Sequence, residues 1–203
     1  MIEILYKDSD IVVCVKERGL LSQYDEKKPD MITALKEICG CEVYPVHRLD
    51  KEVGGVMVYA LTQKSAAALS SQVADRSFCK QYIALIHGIP EEKSGTMEDL
   101  LYFDKSKNKS FTVKKERRGV KKAILDYEVI GEQDSCSLVR VTLHTGRTHQ
   151  IRVQFASRKM PLVGDRRYGA RDDADFIHLW SEKTEFNHPV TGERMTFSKA
   201  QDF

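Results

Sequence analysis

The sequence predicts an α+β fold built on a mixed, mainly antiparallel sheet, and three observations support this. Short apolar or alternating runs rich in β-branched residues recur along the chain and predict strands. Only three segments carry helical signals, and they are scattered instead of alternating regularly with the strands. The 203 residues are 41% hydrophobic and 31% charged, which is typical of one globular domain and excludes a disordered or fibrous chain.

The predicted strands begin with a hairpin. Residues 2–6 and 11–15 are rich in Ile and Val and flank a polar, turn-like cluster. The basic residues 105–122 show little periodicity, and we expect them to form a hairpin or a mobile loop. The remaining predicted strands are 56–60, 77–87, 123–130, 136–143, 176–186 and 194–198.

Three helices are predicted from the signals at their ends. Residues 30–38 form the first, because Gly40 follows them as a stop signal. Thr62 is a favourable N-cap for an Ala-rich helix that runs to about Ala74. The third helix is expected over residues 148–157, directly after a glycine turn.

Charge is distributed unevenly along the chain. The net charge of +2, from 32 Lys and Arg against 30 Asp and Glu, argues by itself against a nucleic-acid partner. Yet residues 105–122 carry a net charge of +8 and residues 147–167 carry +5. Two separate basic clusters are typical of a polyanion-binding protein, and the alternative for each is a solvated, Lys-rich surface.

Several classes of protein are excluded by what the sequence lacks. No apolar run approaches the ~20 residues that a membrane span needs, and no secretory signal is visible. The odd number of cysteines, five, favours reduced thiols in a cytoplasmic protein. Cys39-Gly40-Cys41 lacks the two-residue gap of common zinc sites and has no second pair, so we predict no metal.

Three short motifs contain side chains of the types that can take part in catalysis or bind an anion. The first, H-R-L-D at residues 47–50, ends on an acid in a Gly-flanked loop before a buried strand. The second is K-Q-Y at 80–82, on a predicted strand. The third, T-G-R-T-H-Q-I-R-V at 145–153, turns into a helix whose N-terminus favours an anion. Each has an ordinary structural alternative: an ion pair, a strand aromatic or a capped helix.

The order of these motifs resembles the RluA-type family of RNA pseudouridine synthases, over nearly the whole chain. The resemblance implies a mixed, mostly antiparallel sheet with a central catalytic cleft, peripheral helices, and neither metal nor organic cofactor. It implies isomerisation of uridine to pseudouridine in structured ribosomal or transfer RNA. We expect a single catalytic domain over residues 1–203 without an RNA-binding appendage ahead of it. We also expect a cytoplasmic monomer with no membrane and no obligate protein partner.

The resemblance also implies roles for individual residues. Asp50 corresponds to the catalytic aspartate, Tyr82 to the tyrosine that packs on the target uracil, and Arg152 to the arginine that pairs with the catalytic carboxylate. Arg48 corresponds to an arginine that helps to displace the target nucleotide. The other expected RNA contacts are Arg147, His149, Lys114, Lys115, Arg117 and Arg118, the last four through phosphates without base readout.

Departures from the family pattern leave the RNA target open. Val53-Gly54-Gly55 stands where many relatives have Thr-Ser-Gly, and Gln154 stands where a His often follows I-R-V. An inactive RNA-binding or ribosome-assembly factor is the alternative function, and a glycosidase is disfavoured because no second carboxylate is evident. Asp50 can act as a nucleophile on the sugar or take a proton from it, and the sequence leaves both routes open.

Overall fold

The computed structural model describes residues 2–201 and residue 203, which form two compact units. Unit 1 holds residues 2–80 and 180–201, and unit 2 holds residues 81–179 and 203. The strands are β1 (Glu3–Lys7), β2 (Ile11–Lys16), β3 (Tyr44–Pro45), β4 (Gly54–Ala60), β5 (Cys79–His87), β6 (Ser94–Asp104), β7 (Lys109–Val113), β8 (Val120–Gln133), β9 (Cys136–Leu143), β10 (Leu179–Asn187) and β11 (Arg194–Ser198). The helices are α1 (Met31–Cys39), α2 (Gln63–Asp75) and α3 (Gln150–Ser157), with a 3-10 helix at Arg166–Tyr168.

The sheet of unit 1 is built around two buried strands. Its strands run in the order β1-β2-β4-β10, with β3 on β4 and β11 on β10. Strand β10 runs parallel to β4, and the other pairs described in this unit are antiparallel. Every residue of β2 and β4 is buried, which explains their continuous apolar runs. Helix α2 covers this sheet through Leu69, which joins a core cluster with Val58 and Phe186.

The sheet of unit 2 is antiparallel, in the order β5-β9-β8-β6-β7. Helix α3 packs on β6 and β7, and a small core forms between Leu101, Ala123, Val153 and Tyr168. Both β7 and β8 pair with β6, so residues 114–119 cross over β6 to connect them. The basic stretch therefore forms part of this sheet.

The helix ends follow the predicted signals. The Asp30 carboxylate accepts a hydrogen bond from Thr33 N (2.8 Å), and Gly40 ends α1 with φ of +68°. The Thr62 hydroxyl accepts a hydrogen bond from Ser65 N (3.1 Å) at the start of α2. Helix α3 begins at Gln150, two residues later than expected, because the preceding residues form a turn of their own.

The predicted α+β class with a mixed, mainly antiparallel sheet is confirmed. The first hairpin, β9 and β11 lie where the sequence predicts them, and the other predicted strands overlap observed ones. The prediction missed β3 and β6, and it placed the residues of β7 in a hairpin or a mobile loop. Only Met97 and Leu101 of β6 are buried, so its sequence lacks the alternation that marks a strand. In the part of the chain that the structure describes, no helix is both long and apolar enough to cross a membrane.

Candidate active site

The loop that carries Asp50 connects β3 to β4 and is held through its backbone. On one side of Asp50, the Ser22 hydroxyl accepts a hydrogen bond from Leu49 N (3.3 Å) and donates one to Leu49 O (2.9 Å). On the other side, Gly19 N donates to Lys51 O (2.8 Å). Within the loop, Val53 N donates to Asp50 O (3.1 Å), which closes a tight turn. The position of Asp50 is therefore determined by segment 19–22.

Lys16 is a buried cation beneath the same loop. Its side chain is 0% exposed, and its Nζ donates to Val53 O (2.7 Å), Glu17 O (3.0 Å) and Lys51 O (3.3 Å). Burial lowers the pKa of Lys16 to about 8, and the negative charges of Asp50 and Glu52 partly oppose this shift. Lys16 thus binds two carbonyls of the Asp50 loop. Because its pKa is about 8, its ammonium group loses its proton and its charge after a modest rise in pH.

The two glycines after the loop allow β10 to approach the start of β4. A Cβ on Gly54 would lie 2.4 Å from the Trp180 ring and 2.9 Å from Lys16 O. A Cβ on Gly55, whose φ is +123°, would lie 2.3 Å from Ser181 O. The departure from Thr-Ser-Gly at residues 53–55 thus has a packing reason, because only glycine at 54 leaves room for the indole ring.

His47, the first residue of H-R-L-D, accepts a hydrogen bond inside unit 1. Its Nε2 accepts from Val58 N (3.1 Å) on β4, and its ring packs 5.3 Å from that of Phe78. Burial, with a smaller contribution from the Lys80 charge, lowers the pKa of His47 to about 3. The ring is therefore neutral at physiological pH and links the loop to β4. Arg48, the next residue, is exposed to solvent.

Tyr82, the aromatic residue of K-Q-Y, lies on β5 opposite Val141 of β9. Its side chain is 5% exposed, so strand pairing and packing fix its position. Lys80 at the start of the motif is also buried, and burial lowers its pKa. The sequence-predicted catalytic residues are divided between the units: Asp50 belongs to unit 1, and Tyr82 and Arg152 belong to unit 2.

Arg152 on α3 forms a buried, bidentate ion pair with Asp165. Its Nε donates to Asp165 Oδ2 (2.6 Å) and its Nη2 donates to Asp165 Oδ1 (2.9 Å). The two side chains are 3% and 0% exposed. Two parallel hydrogen bonds fix the plane of the guanidinium. Gly164, just before Asp165, has φ of +79°, and a Cβ there would overlap Phe176 O.

Tyr168 packs over the Arg152–Asp165 pair. Its ring lies 5.2 Å from the guanidinium carbon of Arg152. Its hydroxyl accepts a hydrogen bond from Ser110 N (2.8 Å) on β7 and is hydrogen-bonded to His149 Nδ1 (3.0 Å). The described contacts of His149 are thus with aromatic residues of unit 2, and direct RNA contact by His149 stays a prediction.

The turn ahead of α3 is held by one amide side chain. Gln150 Oε1 accepts hydrogen bonds from the Thr145 hydroxyl (2.8 Å) and from Arg147 N (3.0 Å). Gln150 Nε2 donates to Ile124 O (3.1 Å) on β8. Arg147 Nε donates to Lys122 O (2.8 Å), which directs the guanidinium along β8. The T-G-R-T-H-Q segment is therefore a rigid turn fixed to the sheet.

The predicted phosphate contacts lie on the segment that crosses β6. This segment, residues 114–119, is exposed throughout. The guanidinium of Arg117 lies 4.9 Å from the ring centre of Tyr102 on β6, which anchors the segment to the sheet. Lys114, Lys115 and Arg118 share this exposed segment.

Two residues that hold the candidate site were not singled out from the sequence. Lys16 is the last residue of β2, after five apolar residues, where a lysine is expected to reach solvent and not to be buried. Asp165 follows a glycine in a Pro-Leu-Val-Gly segment and has no sequence signal linking it to Arg152. Among residues 2–201 and 203, no group of three or more His, Cys, Asp or Glu side chains is arranged to hold a metal ion.

Comparisons with known proteins agree with these motifs. Residues 10–157 match the family model for RNA pseudouridylate synthase. The chain is 35% identical to the dual-specificity RNA pseudouridine synthase RluA of Escherichia coli (strain K12), over 98% of this chain and 93% of that protein. It is 32% identical to the uncharacterized RNA pseudouridine synthase YlyB of Bacillus subtilis (strain 168), over 97% and 68% respectively.

The solved structures show the same fold. Human RNA pseudouridylate synthase domain containing 4 superposes with a TM-score of 0.80 at 22% identity, covering 98% of this chain and 88% of that one. Human RNA pseudouridylate synthase domain containing 1 superposes with a TM-score of 0.82, also at 22% identity, covering 99% and 84%. At this identity the likeness supports the architecture.

Proposed function

The chain belongs to the RluA-type family of RNA pseudouridine synthases, and we propose that it acts through Asp50, Tyr82 and Arg152 without a cofactor. The family membership makes it an enzyme that isomerises uridine to pseudouridine in RNA. We further propose that its substrate is a structured ribosomal or transfer RNA. The observation that carries the catalytic assignment is the set of hydrogen bonds to the backbone on both sides of Asp50.

The reaction exchanges one bond of the uracil for another. The bond between N1 of uracil and C1′ of ribose breaks, and a bond between C5 and C1′ forms. N1 gains a proton, and the hydrogen on C5 is lost to solvent. Because no atom is added, the enzyme needs only to detach, hold and turn the base, which protein side chains can do.

Asp50 is proposed to act on the ribose as a carboxylate. It can attack C1′ and form a sugar ester, which the turned base then displaces. It can instead remove a proton from the sugar while the base departs. Both routes require a carboxylate held at a fixed distance from the ribose, and the bonds from Ser22 and Gly19 to the flanking backbone provide that constraint.

Arg152 is proposed to pair with the Asp50 carboxylate during the reaction and to keep it ionised. In support, the bidentate bond to Asp165 fixes the orientation of the guanidinium before RNA arrives. A side chain that is already ordered loses little conformational entropy when it engages a second carboxylate. Arg152 therefore needs no reorganisation in the transition state.

Tyr82 is proposed to pack on the uracil while the base turns. The position of Tyr82 within β5 supports this assignment, because the pairing of β5 with β9 holds the ring at a fixed place on the sheet. The target base must first leave the RNA stack, which costs a few kcal/mol. We propose that Arg48 helps to displace it and that the cations of residues 114–118 bind phosphates of the RNA.

Release of tritium from C5 tests the proposed catalytic residue. RNA from cells that lack the protein, labelled with tritium at C5 of uracil, is incubated with the wild type and with Asp50→Asn. We expect the wild type to release label and Asp50→Asn to release it at least about a thousandfold more slowly, since the variant keeps the size of the side chain and loses its charge.

Glu52→Gln is the matched control, because it makes the same change on an exposed side chain two residues away. It is expected to release label at close to the wild-type rate. Equal rates for Asp50→Asn and the wild type would refute the assignment of Asp50. Thermal unfolding of each variant shows whether a lost activity reflects a lost fold.

Mapping pseudouridines in total RNA with and without the gene identifies the target. We propose ribosomal or transfer RNA, and a cytoplasmic monomer acting without an obligate protein partner. A modified uridine that disappears on deletion of the gene and returns with the wild type, but not with Asp50→Asn, is the expected result. Loss of modification in messenger RNA alone would refute the proposed substrate class.

A further inference from the structure

Unit 2 contains a pocket of about 650 Å³ at the end of β6 that no catalytic role accounts for. Its lining comes from β6, the turn after it, β7, the end of the segment that crosses β6, the start of β8 and the turn before α3. Asp50, Tyr82 and Arg152 are not among the lining residues. The volume falls in the range of ~300–1,000 Å³ that is usual for small-molecule sites, so it is large enough for a nucleotide.

The charge of the pocket is positive. Four cations line it: Lys105, Arg118, Lys121 and Arg147. The one acid in the lining, Asp104, has an oxygen that accepts hydrogen bonds from Ser106 N, the Ser106 hydroxyl and Lys107 N within its own turn.

Two cations near the pocket have acidic partners, in contrast to those that line it. Lys122, next to Lys121 on β8, forms an ion pair with Glu98, and Arg158 forms one with Asp99. For the four cations of the pocket, no carboxylate among residues 2–201 and 203 forms an ion pair of this kind. Positive side chains that converge without acidic partners favour an anionic ligand.

The pocket also has an aromatic wall. Phe103, at the end of β6, lines it on the same face of the strand as Leu101, whereas the ring of Tyr102, the residue between them, points to the opposite face. Phe103 makes an edge contact with His149 (6.2 Å between ring centres), which holds this ring in place. Cations beside aromatic rings are the combination that binds a phosphate and its base together, as in proteins that hold single-stranded nucleic acids.

Two sides of the pocket are held by hydrogen bonds to neighbouring elements. The turn after β6 is tied to the 3-10 helix, because Lys109 Nζ donates to Arg167 O (2.6 Å) and Arg167 Nη1 donates to Asn108 O (2.7 Å). On the opposite side, the bond from Arg147 Nε to Lys122 O fixes the arginine. A preformed site binds without the cost of ordering its own side chains.

We propose that this pocket binds one nucleotide of the RNA substrate other than the target uridine, with its phosphate on the cations and its base against the aromatic wall. The inference rests on the proposed function, since the ligand is part of the same RNA. It goes beyond phosphate contacts, because it requires a base in the pocket. Gly146, Arg147 and Thr148 join this pocket to the helix that carries Arg152, so the bound nucleotide sets the register of the RNA.

Filling the pocket without changing its charge tests the proposal. Ser106 lines the pocket, and Ser106→Leu occupies part of it, whereas Ser106→Ala leaves it open as the matched control. The probe is the shortest fragment of ribosomal or transfer RNA from which the wild type releases label. If no fragment releases label, the probe is the shortest fragment that the wild type binds. A series of this RNA carries a single abasic residue at each position around the modified or bound segment.

The expected result is a coupling between one base and the pocket. In the wild type, one abasic position weakens binding about tenfold, as loss of one stacked base does. Ser106→Leu weakens binding of the intact RNA by a similar factor, and the abasic change then has no further effect. Ser106→Ala loses the same hydroxyl as Ser106→Leu but leaves the pocket open, so in this variant the abasic change still weakens binding about tenfold. Thermal unfolding of Ser106→Leu confirms that the fold is retained.

Two outcomes overturn the proposal, and both differ from a failure of the proposed function. The base does not occupy the pocket if no abasic position weakens binding. The same conclusion follows if the abasic change weakens binding to Ser106→Leu as much as binding to the wild type, because the two effects are then independent. Binding is measured as a dissociation constant, by fluorescence anisotropy, separately from label release. A protein that shows the coupling but releases no label would retain the pocket and lose the proposed activity.

Discussion

The loop of Asp50 and the side chain of Arg152 are held in place by different kinds of contact. Asp50 is positioned through the backbone, because Ser22, Gly19 and Lys16 bind the peptide groups around it. Arg152 is positioned through its own side chain, by two hydrogen bonds to buried Asp165. A side chain held through its backbone can change identity while the loop stays in place. A side chain held by an ion pair cannot lose its partner without leaving a buried charge.

The difference suits the proposed roles. A residue that forms or breaks bonds needs its carboxylate at a fixed place, and the hydrogen bonds to the flanking peptide groups restrain the chain there. A residue that stabilises charge needs a fixed orientation, which a bidentate partner provides.

Removing Asp165 should cause the largest loss of stability. Asp165→Asn removes the carboxylate that Nε and Nη2 of Arg152 both bind, and breaking a buried ion pair in this way costs about 3–5 kcal/mol. Urea unfolding measures the free energy of unfolding of the variant against the wild type. The double variant Arg152→Met with Asp165→Leu should recover much of the stability and none of the label release.

The control for Asp165 is an exposed pair in the same unit. Glu98→Gln breaks the ion pair with Lys122, whose side chain is about half exposed, and should cost less than about 1 kcal/mol. Equal losses for Asp165→Asn and Glu98→Gln would show that the buried pair does not hold Arg152 in the way described.

His47 should make the protein sensitive to acid. Its pKa is about 3 in the folded protein and near 6.5 in an unfolded chain, so the unfolded state binds the proton first as the pH falls. Stability is therefore full above pH 6.5 and declines towards pH 3, by on the order of 3 kcal/mol between pH 7 and pH 4. Urea unfolding across this range should show a smaller decline in His47→Gln, which keeps an acceptor and does not titrate.

Lys16 should produce a trend of the same sign at alkaline pH, because its pKa is also lowered in the folded protein. Its pKa of about 8 lies below the 10.5 of an exposed lysine, so above pH 8 the unfolded state keeps a proton that the folded state has lost. Stability from this group therefore rises by on the order of 2 kcal/mol between pH 8 and pH 10. The difference in free energy of unfolding between the wild type and Lys16→Met isolates the contribution of Lys16 from those of other titrating groups. A difference that stays constant between pH 8 and pH 10 would contradict the prediction.

Neutralising the segment that crosses β6 should have the smallest effect. Changing Lys114, Lys115, Arg117 and Arg118 to Gln should weaken RNA binding about tenfold and reduce the salt slope of log K by up to about 3. Four exposed cations of unit 1 are the matched control: Lys7, Lys27, Lys28 and Lys64. Filter binding at several salt concentrations measures both sets, and an unchanged slope would contradict phosphate contacts by residues 114–118.

Some elements were predictable because their signals are local. The Thr62 cap and the Gly40 stop each act within one turn of their own helix, so the residues that form them are neighbours in sequence. Strands β2 and β4 were recognised from continuous apolar runs, which burial on both faces requires. Strand β6 was missed because most of its side chains are at least partly exposed, which removes the alternating pattern.

The sequence by itself determined the family, the α+β class and the three motifs that carry Asp50, Tyr82 and Arg152, because residue types at fixed spacings are local information. Only the tertiary structure decided what holds them. Lys16 lies 35 residues before Lys51 along the chain, Ser22 lies 27 before Leu49, and Asp165 lies 13 after Arg152. A buried lysine or carboxylate is stable only where the fold supplies its hydrogen-bond partners, and no pattern of neighbouring residues records where those partners arrive.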